Sequence, residues 1–395
     1  NGMSVEALNL LGNDPHKRGI IILNDNQMSI SKSVGSLSKA LTRFRSNKVV
    51  IKSKRIWQTI LPDILLRVLS RIKRSVRTLL QRKNIFEDLG YMYIGPIDGH
   101  DLKGLIYNLK RISKIKKSVV LHILTDKGKG HKDAENDSIG TYHGVSKASS
   151  KVKEGIPWSQ VIALGLDQLQ SFKKTFVIMP AMTVGTKMDS FEKKYPDRYF
   201  DIGIAEEHGA TMAAMMAHQG VDVFYPIYAT FSQRAFDQIL NDIARSDHHV
   251  VFGIDRAGIV GEDGSTHQGL FDVSMFGLMP NFVITMPYDA QEAFDLLYYG
   301  FMNQSHQFVI RYPRGRVLHD EKSVIKFREI KPVWTYFKKG KSPLVIISYG
   351  PSLDLVKDAV ESLNIDATII NARFIKPIDE HMLKDIFSLD EDTDL

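Results

Sequence analysis

The sequence predicts an α/β protein of three doubly wound parallel-sheet units, the first and last incomplete. Short continuous apolar runs rich in Val, Ile and Phe alternate with stretches repeating apolar residues every three or four positions. That is the pattern of strands buried on both faces and of the amphipathic helices covering them. Chemically loaded stretches follow the carboxyl ends of these runs, where open parallel sheets bind ligands. The composition, 43% hydrophobic and 25% charged over 395 residues, is that of a globular chain with room for several cores.

Gly19–Leu23 (GIIIL) reads as a buried strand ending in the polar NDNQMS. Tyr91–Gly95 ends in PIDGHD, the stretch LKGLIYNLKRI reads as a helix, and Ser118–Thr125 ends in DKGKGH. A Ser/Lys-rich connection, Val145–Gly155, separates this part from a second alternation. There a helix is expected at Trp158–Phe172, strands at Thr175–Met179, Val223–Tyr228, His249–Ile254, Phe282–Met286 and Phe308–Arg311, and a helix at Ser232–Arg245. Beyond a second shift at Arg316–Lys341, PLVIISYG and DATIINARF read as strands around a helix at Ser352–Leu363.

No apolar run approaches the length of a membrane span. The absence of cysteine excludes disulfides, thiolate metal sites and cysteine nucleophiles, and fits a reducing compartment. The chain opens on NGMSVEALNLLG and stops at FSLDEDTDL, so a fragment at both ends is expected. The net charge of +7 is not spread evenly: Lys32–Lys83 carries 15 Lys or Arg and one acid, Asp63, leaving −7 on the rest. Its apolar spacing suggests an amphipathic, solvated insert, weighed against an RNA- or membrane-binding helix. With little aromatic interleaving the reading is no nucleic acid and no membrane.

The run after His249–Ile254, Asp255–Asp272, is DRAGIVGEDGSTHQGLFD. It sets a cation, carboxylates and an imidazole on one glycine-loosened loop, a combination that points to a polar ligand. Taken alone, each group has an ordinary role: a solvated loop Asp, a satisfied loop His, a packed Phe, an Asn in a turn.

In sequence order, ILNDNQMSIS, YIGPIDGHD, HILTDKGKG, TYHGVSK, KYPDRYFDIGIAEEH, YATFSQRAFDQ, DRAGIVGEDGSTHQG, RYPRG and ARFIKPID resemble the 1-deoxy-D-xylulose-5-phosphate synthase family of the transketolase superfamily. The resemblance implies thiamine diphosphate and Mg2+ as cofactors, pyruvate and D-glyceraldehyde 3-phosphate as substrates, and a homodimer in bacterial cytosol or an organelle such as a plastid. It implies condensation of the two substrates with loss of carbon dioxide, in a route to isoprenoids, thiamine and pyridoxal. The three units become residues 1–150, a diphosphate-binding domain carrying the basic insert at 32–83; residues 156–316, a pyrimidine-binding domain; and residues 325–395, the start of a C-terminal domain.

By the same resemblance Asn26 and the main-chain carbonyl of Met28 are metal ligands, and Lys127 lies near the cofactor. Glu206 hydrogen-bonds the aminopyrimidine ring, on which Phe231 stacks. Arg256 and Arg314, with Tyr228, grip the acceptor's phosphate. Asp263, His267 and His143 are acid–base and orienting groups. The sequence departs from the family in showing no Gly-Asp-Gly magnesium motif, in Glu207 where relatives often carry Gln, and in Ser265. The alternatives are another thiamine-diphosphate enzyme, a transketolase or a pyruvate dehydrogenase beta subunit, or a non-catalytic remnant of the fold.

Overall fold

A computed structural model describes residues 2–14, 18–26, 84–137, 142, 154–321 and 323–388, and the chain divides into two units, 1–145 and 146–395. The basic insert at 32–83 lies outside the described residues.

In the first unit, β1 (Ile20–Asp25), β2 (Met92–Asp98) and β3 (Val119–Leu124) form a parallel sheet in the order β1-β3-β2. The central β3 opens on two valines and is buried from Val119 to His122. The helix Leu102–Ile112 is capped by Asp101, whose side chain accepts from the Gly104 amide. It lays Leu105, Leu109 and Ile112 on the sheet against Val119 and Leu121, the i, i+4, i+7 spacing of one helix face. The expectation that GIIIL is fully buried is corrected: β1 is an edge strand whose Ile20 and Ile22 are exposed among the described residues.

The second unit centres on a seven-stranded sheet in the order β15-β9-β10-β8-β7-β5-β6. It is made of β5 (Thr175–Met179), β6 (Tyr199–Asp201), β7 (Asp222–Tyr228), β8 (Val251–Asp255), β9 (Phe282–Thr285), β10 (Gln307–Arg311) and β15 (Phe374–Lys376). All neighbours pair in parallel except β15 with β9. One face, with Val223, Tyr225, Phe252, Ile254 and Ile284, packs against the helix Glu206–His218 and the segment Ile239–Ala244. The other face meets the helix Ala290–Met302, where Phe224 approaches Phe301 with ring centroids 6.3 Å apart. That helix packs on the helix Trp158–Leu169 so closely that a Cβ at Gly165 would lie 2.9 Å from the Phe294 ring.

A short antiparallel pair, β4 (Ile156–Pro157) and β11 (Arg316–Val317), brackets the six parallel strands of this sheet in sequence. A further three-stranded sheet orders β12 (Thr335–Lys338), β14 (Thr368–Asn371) and β13 (Val345–Ser348). The helix Ser352–Ser362 covers it through Leu353, Val356 and Val360.

Two expectations are corrected here. DATIINARF is not one strand: it breaks at Ala372–Arg373, and β15 leaves the small sheet to pair antiparallel with β9 on the large one. Ser232–Arg245 is not one helix either. It runs through a 3-10 turn at Gln233–Ala235, a short turn at Phe236–Gln238 and a π segment at Ile239–Ala244. The described helices include none long and apolar enough to cross a membrane.

Candidate active site

Strands β7, β8 and β10 lie in adjacent positions, and their register aligns Tyr228 with Asp255 and Ile254 with Arg311. Their carboxyl ends therefore deliver Tyr228, Asp255–Arg256 and the RYPRG turn to one edge of the sheet, where parallel strands leave backbone groups and loops free for ligands.

Arg256 is the most constrained of these residues. Its backbone is left-handed, with φ of 59°, a conformation a non-glycine residue holds only when its surroundings impose it. Asp255, fully buried, imposes it: Oδ1 accepts from the Arg256 amide at 2.7 Å and Oδ2 from Arg256 Nη1 at 2.7 Å. Nη1 also donates to Ser159 Oγ and to the Gly185 carbonyl, each at 3.0 Å, while Ser159 donates to Asp255 at 2.8 Å. Burial pushes the Asp255 carboxyl up, and the neighbouring guanidinium opposes it. Among the described residues Arg256 Nε is buried without a hydrogen-bond partner, 3.7 Å from Asp263 Oδ2. Asp263 Oδ1 pairs with Arg314 Nε at 2.7 Å, so the carboxylate lies between two guanidinium groups. The Tyr312 hydroxyl, fully buried close by, also has no hydrogen-bond partner among the described residues, and burial raises its pKa well above the usual phenol range.

An aromatic chain leads away from this cluster. The Arg256 guanidinium lies 4.2 Å from the Tyr228 ring centroid. Tyr228 stacks on Phe231 at 5.4 Å and 10°, and His267 meets Phe231 edge-on at 5.4 Å. Thr266 Oγ1 and His267 Nδ1 share a 2.9 Å hydrogen bond, and Thr230 Oγ1 donates to the Thr266 carbonyl at 3.1 Å. These bonds tie the STHQG turn to the YATF turn.

Glu206 opens the helix Glu206–His218 and is buried. Arg234 Nη1 donates to its Oε2 at 2.5 Å, and Arg234 Nε donates to Glu207 Oε1 at 2.9 Å. The Tyr225 hydroxyl donates to the Glu206 carbonyl at 2.7 Å.

In the first unit, Asn26 follows β1 and is half-buried. The strand end before it is tied to β3: Thr125 Oγ1 donates to Asn24 Oδ1 at 2.7 Å, and His122 bridges the Tyr93 hydroxyl at 2.5 Å and Asp25 at 3.4 Å. Burial, with Glu87 and Asp25 nearby, pushes the Tyr93 phenol up to about 12. Lys127 stands in the DKGKG turn, and its Nζ is buried with no hydrogen-bond partner among the described residues. The turn needs glycine at 128, where φ is 79° and a Cβ would lie 2.5 Å from the Ala134 carbonyl carbon. Met28 and His143 lie outside the described residues. Among the described residues, no three His, Cys, Asp or Glu side chains group as a metal site.

Sequence reasoning missed Ser159, Asp255, Arg234 and Tyr312. Ser159 carries no signal within a helix start. Asp255 reads as part of the loop, and Arg234 falls within the stretch expected as one helix.

Three family models match in succession: 1-deoxy-D-xylulose-5-phosphate synthase over residues 1–125, the transketolase pyrimidine binding domain over 154–318, and the transketolase C-terminal domain over 335–389. The chain is 41% identical to the 1-deoxy-D-xylulose-5-phosphate synthase of Macrococcus caseolyticus over 97% of its own length and 63% of that protein's. It is 42% identical to the synthase of Listeria innocua over 98% of its own length and 63% of that protein's. It thus spans somewhat under two thirds of these curated relatives. A solved split-gene transketolase, described as an inactive beta4 tetramer, matches with a TM-score of 0.51 and 26% identity over 60% of this chain and 77% of that one. By these matches the chain is similar along nearly its whole length to 1-deoxy-D-xylulose-5-phosphate synthases, and it matches domains of transketolase-like proteins in succession.

Proposed function

We propose that the protein condenses pyruvate with D-glyceraldehyde 3-phosphate, releasing carbon dioxide and forming 1-deoxy-D-xylulose 5-phosphate. The observation that carries this reading is the cation pair at the strand ends. Arg256 and Arg314 flank one carboxylate, and Arg256 Nε is buried with no hydrogen-bond acceptor among the described residues. A guanidinium fork matches phosphate oxygens, and of the two substrates only the aldehyde carries phosphate. Tyr228, beneath Arg256, shapes the same subsite.

The residues also suit thiamine diphosphate. The buried Lys127 ammonium, without a hydrogen-bond partner among the described residues, fits an anionic diphosphate. Asn26, with the Met28 carbonyl, supplies hard oxygen atoms suited to Mg2+. The Phe231 ring offers a stacking surface for the pyrimidine, and Glu206 offers a carboxylate for its ring nitrogen. When bound, the cofactor would supply the electron sink for decarboxylation. Glu206 accepts the hydrogen bond from the protonated ring, and the arginines fix the aldehyde's phosphate end so that its carbonyl is held in one place. Asp263, His267 and His143 move protons at the substrate carbonyl oxygens, His267 being oriented by Thr266. On this reading residues 1–150, 156–316 and 325–395 serve as the diphosphate-binding, pyrimidine-binding and C-terminal domains, and the protein acts as a homodimer.

The test is to incubate the protein with thiamine diphosphate, Mg2+, pyruvate and D-glyceraldehyde 3-phosphate, and to identify the products. Carbon dioxide together with 1-deoxy-D-xylulose 5-phosphate is expected. Ketol transfer between sugar phosphates, without use of pyruvate, would instead assign a transketolase.

A further inference from the structure

The two acids that open the helix Glu206–His218 are held from outside that helix. An acidic residue at a helix start ordinarily faces solvent and the free N–H groups of its own first turn. Glu206 is only 5% exposed, and its Oε2 takes the 2.5 Å bond from Arg234 Nη1. The same guanidinium donates through Nε to Glu207 at 2.9 Å and reaches the Ile204 carbonyl through Nη1 at 3.4 Å. Glu206 Oε1 makes no hydrogen bond among the described residues. One oxygen is pinned and the other is free to accept.

Arg234 owes its place to the break in the expected helix. It lies in the 3-10 turn Gln233–Ala235, three residues after Phe231, and the preceding turn is closed by the bond from Ser232 Oγ to the Ala229 carbonyl at 2.7 Å. A single short turn therefore sets both the aromatic ring and the guanidinium. With two carboxylates on one guanidinium, the cluster keeps a net negative charge and remains an acceptor. A planar fork can hold two carboxylates at fixed angles, which an ammonium on a flexible stem does not do.

We propose that Arg234 is a positioning residue. It anchors Oε2 of Glu206 so that Oε1 is presented to the protonated ring of the cofactor, and Glu207 keeps the guanidinium from turning away. This rests on the reading of Glu206 as the aminopyrimidine partner.

The experiment compares Arg234→Ala, Arg234→Lys, Glu206→Gln and the double variant Arg234→Ala/Glu206→Gln. A misplaced acceptor typically costs about 100-fold, so Arg234→Ala should lower kcat by roughly that factor while leaving KM for the aldehyde within about twofold. Arg234→Lys should recover part of the loss. Because Arg234 acts through Glu206, the double variant should turn over no more slowly than Glu206→Gln alone. Losses that add overturn the proposal, and so does a KM change matching the kcat change. A second measurement needs no cofactor: the side-chain carboxyl 13C resonance of Glu206 in the unliganded protein should move in Arg234→Ala and stay near its original position in Arg234→Lys. An unmoved resonance overturns the proposal whatever the activity. A moved resonance in a protein that does not turn over pyruvate leaves the tether standing and overturns the functional reading instead.

Discussion

Asp263 Oδ1 lies 2.7 Å from Nε of Arg314, and its Oδ2 lies 3.7 Å from Nε of Arg256. The carboxylate thus sits where an anionic ligand of those two arginines would sit. It is carried on a short 3-10 turn, Gly261–Asp263, between Gly258 and Gly264. Gly258, Gly261 and Gly264 all have positive φ and open space where a Cβ would be. The base of the loop is tied by the paired backbone bonds between Gly258 and Gly269 at 2.7 and 2.8 Å, and its interior by Gln268, which accepts from the Val260 amide at 3.0 Å and donates to the Gly264 carbonyl at 3.1 Å. Asp263→Asn should therefore remove a competing charge with little change of shape. Inorganic phosphate should bind the variant about three- to tenfold more tightly, by calorimetry at low salt, with the gain shrinking as salt screens the site. Weaker binding in the variant would mean that Asp263 organises the arginines rather than competing for them.

Glu206→Gln should keep thiamine diphosphate affinity within about threefold while lowering turnover about 100-fold or more. Glutamine fills the same volume and can still accept one hydrogen bond, but it carries no charge to stabilise a protonated ring. Calorimetric titration with cofactor and Mg2+, beside a turnover assay, separates the two effects. Full activity in this variant would reduce IAEEH to a structural helix start.

How much of this could be read in advance depends on whether the signal is local. Parallel strands such as Thr175–Met179 were legible because burial on both faces writes a continuous apolar run. The loops were legible because charge and glycine after such a run have no packing role. The antiparallel attachment of Phe374–Lys376 to β9 was not legible, because pairing direction leaves no mark in a short apolar strand. The break in Ser232–Arg245 was hidden for another reason. Its apolar spacing suits a helix, and the local geometry is set by contacts such as Arg234 with Glu206 and Glu207, 28 and 27 residues away in sequence. Ser159 joins Asp255 and Arg256 across 96 and 97 residues, a relation that only the folded sheet creates.

Glu292 provides a pH-dependent test of the packing behind the site. It is buried in the helix Ala290–Met302, and desolvation raises its carboxyl pKa despite bonds from the Tyr288 amide and Asn371 and the nearby Arg373. A carboxyl whose folded pKa is raised binds its proton more tightly when folded. Its contribution is therefore most favourable at low pH and is lost as pH rises from the ordinary carboxylate range through the raised value. Glu292→Gln should flatten that part of the stability profile in urea unfolding measured across the range. A profile of unchanged slope would assign the dependence to other groups.

The two phosphate-clamp arginines should separate by stability and agree in specificity. Arg256 holds the fully buried Asp255, and its guanidinium is also spent on Ser159 and the Gly185 carbonyl. Arg256→Ala leaves a buried carboxylate with no charged partner, held only by the Ser159 hydroxyl and the backbone amide of residue 256, a loss typically of about 3–5 kcal/mol. Arg314, with a side chain 29% exposed, should cost under about 1 kcal/mol as Arg314→Ala. Urea unfolding of both variants checks this difference. In catalysis each should raise KM for D-glyceraldehyde 3-phosphate about 10- to 100-fold, the equivalent of one charge-assisted bond of about 1.5–3 kcal/mol. The constant for pyruvate should move far less, because pyruvate has no phosphate. Unphosphorylated glyceraldehyde is the control: it should be a poor substrate of the parent protein and lose little more in either variant. Arg314→Ala decides the matter, since it tests the clamp without disturbing the buried pair. If it weakens pyruvate as much as the aldehyde phosphate, the two arginines do not form a phosphate site, and Arg256 is then an ion-pair partner that fixes the glycine loop to Asp255.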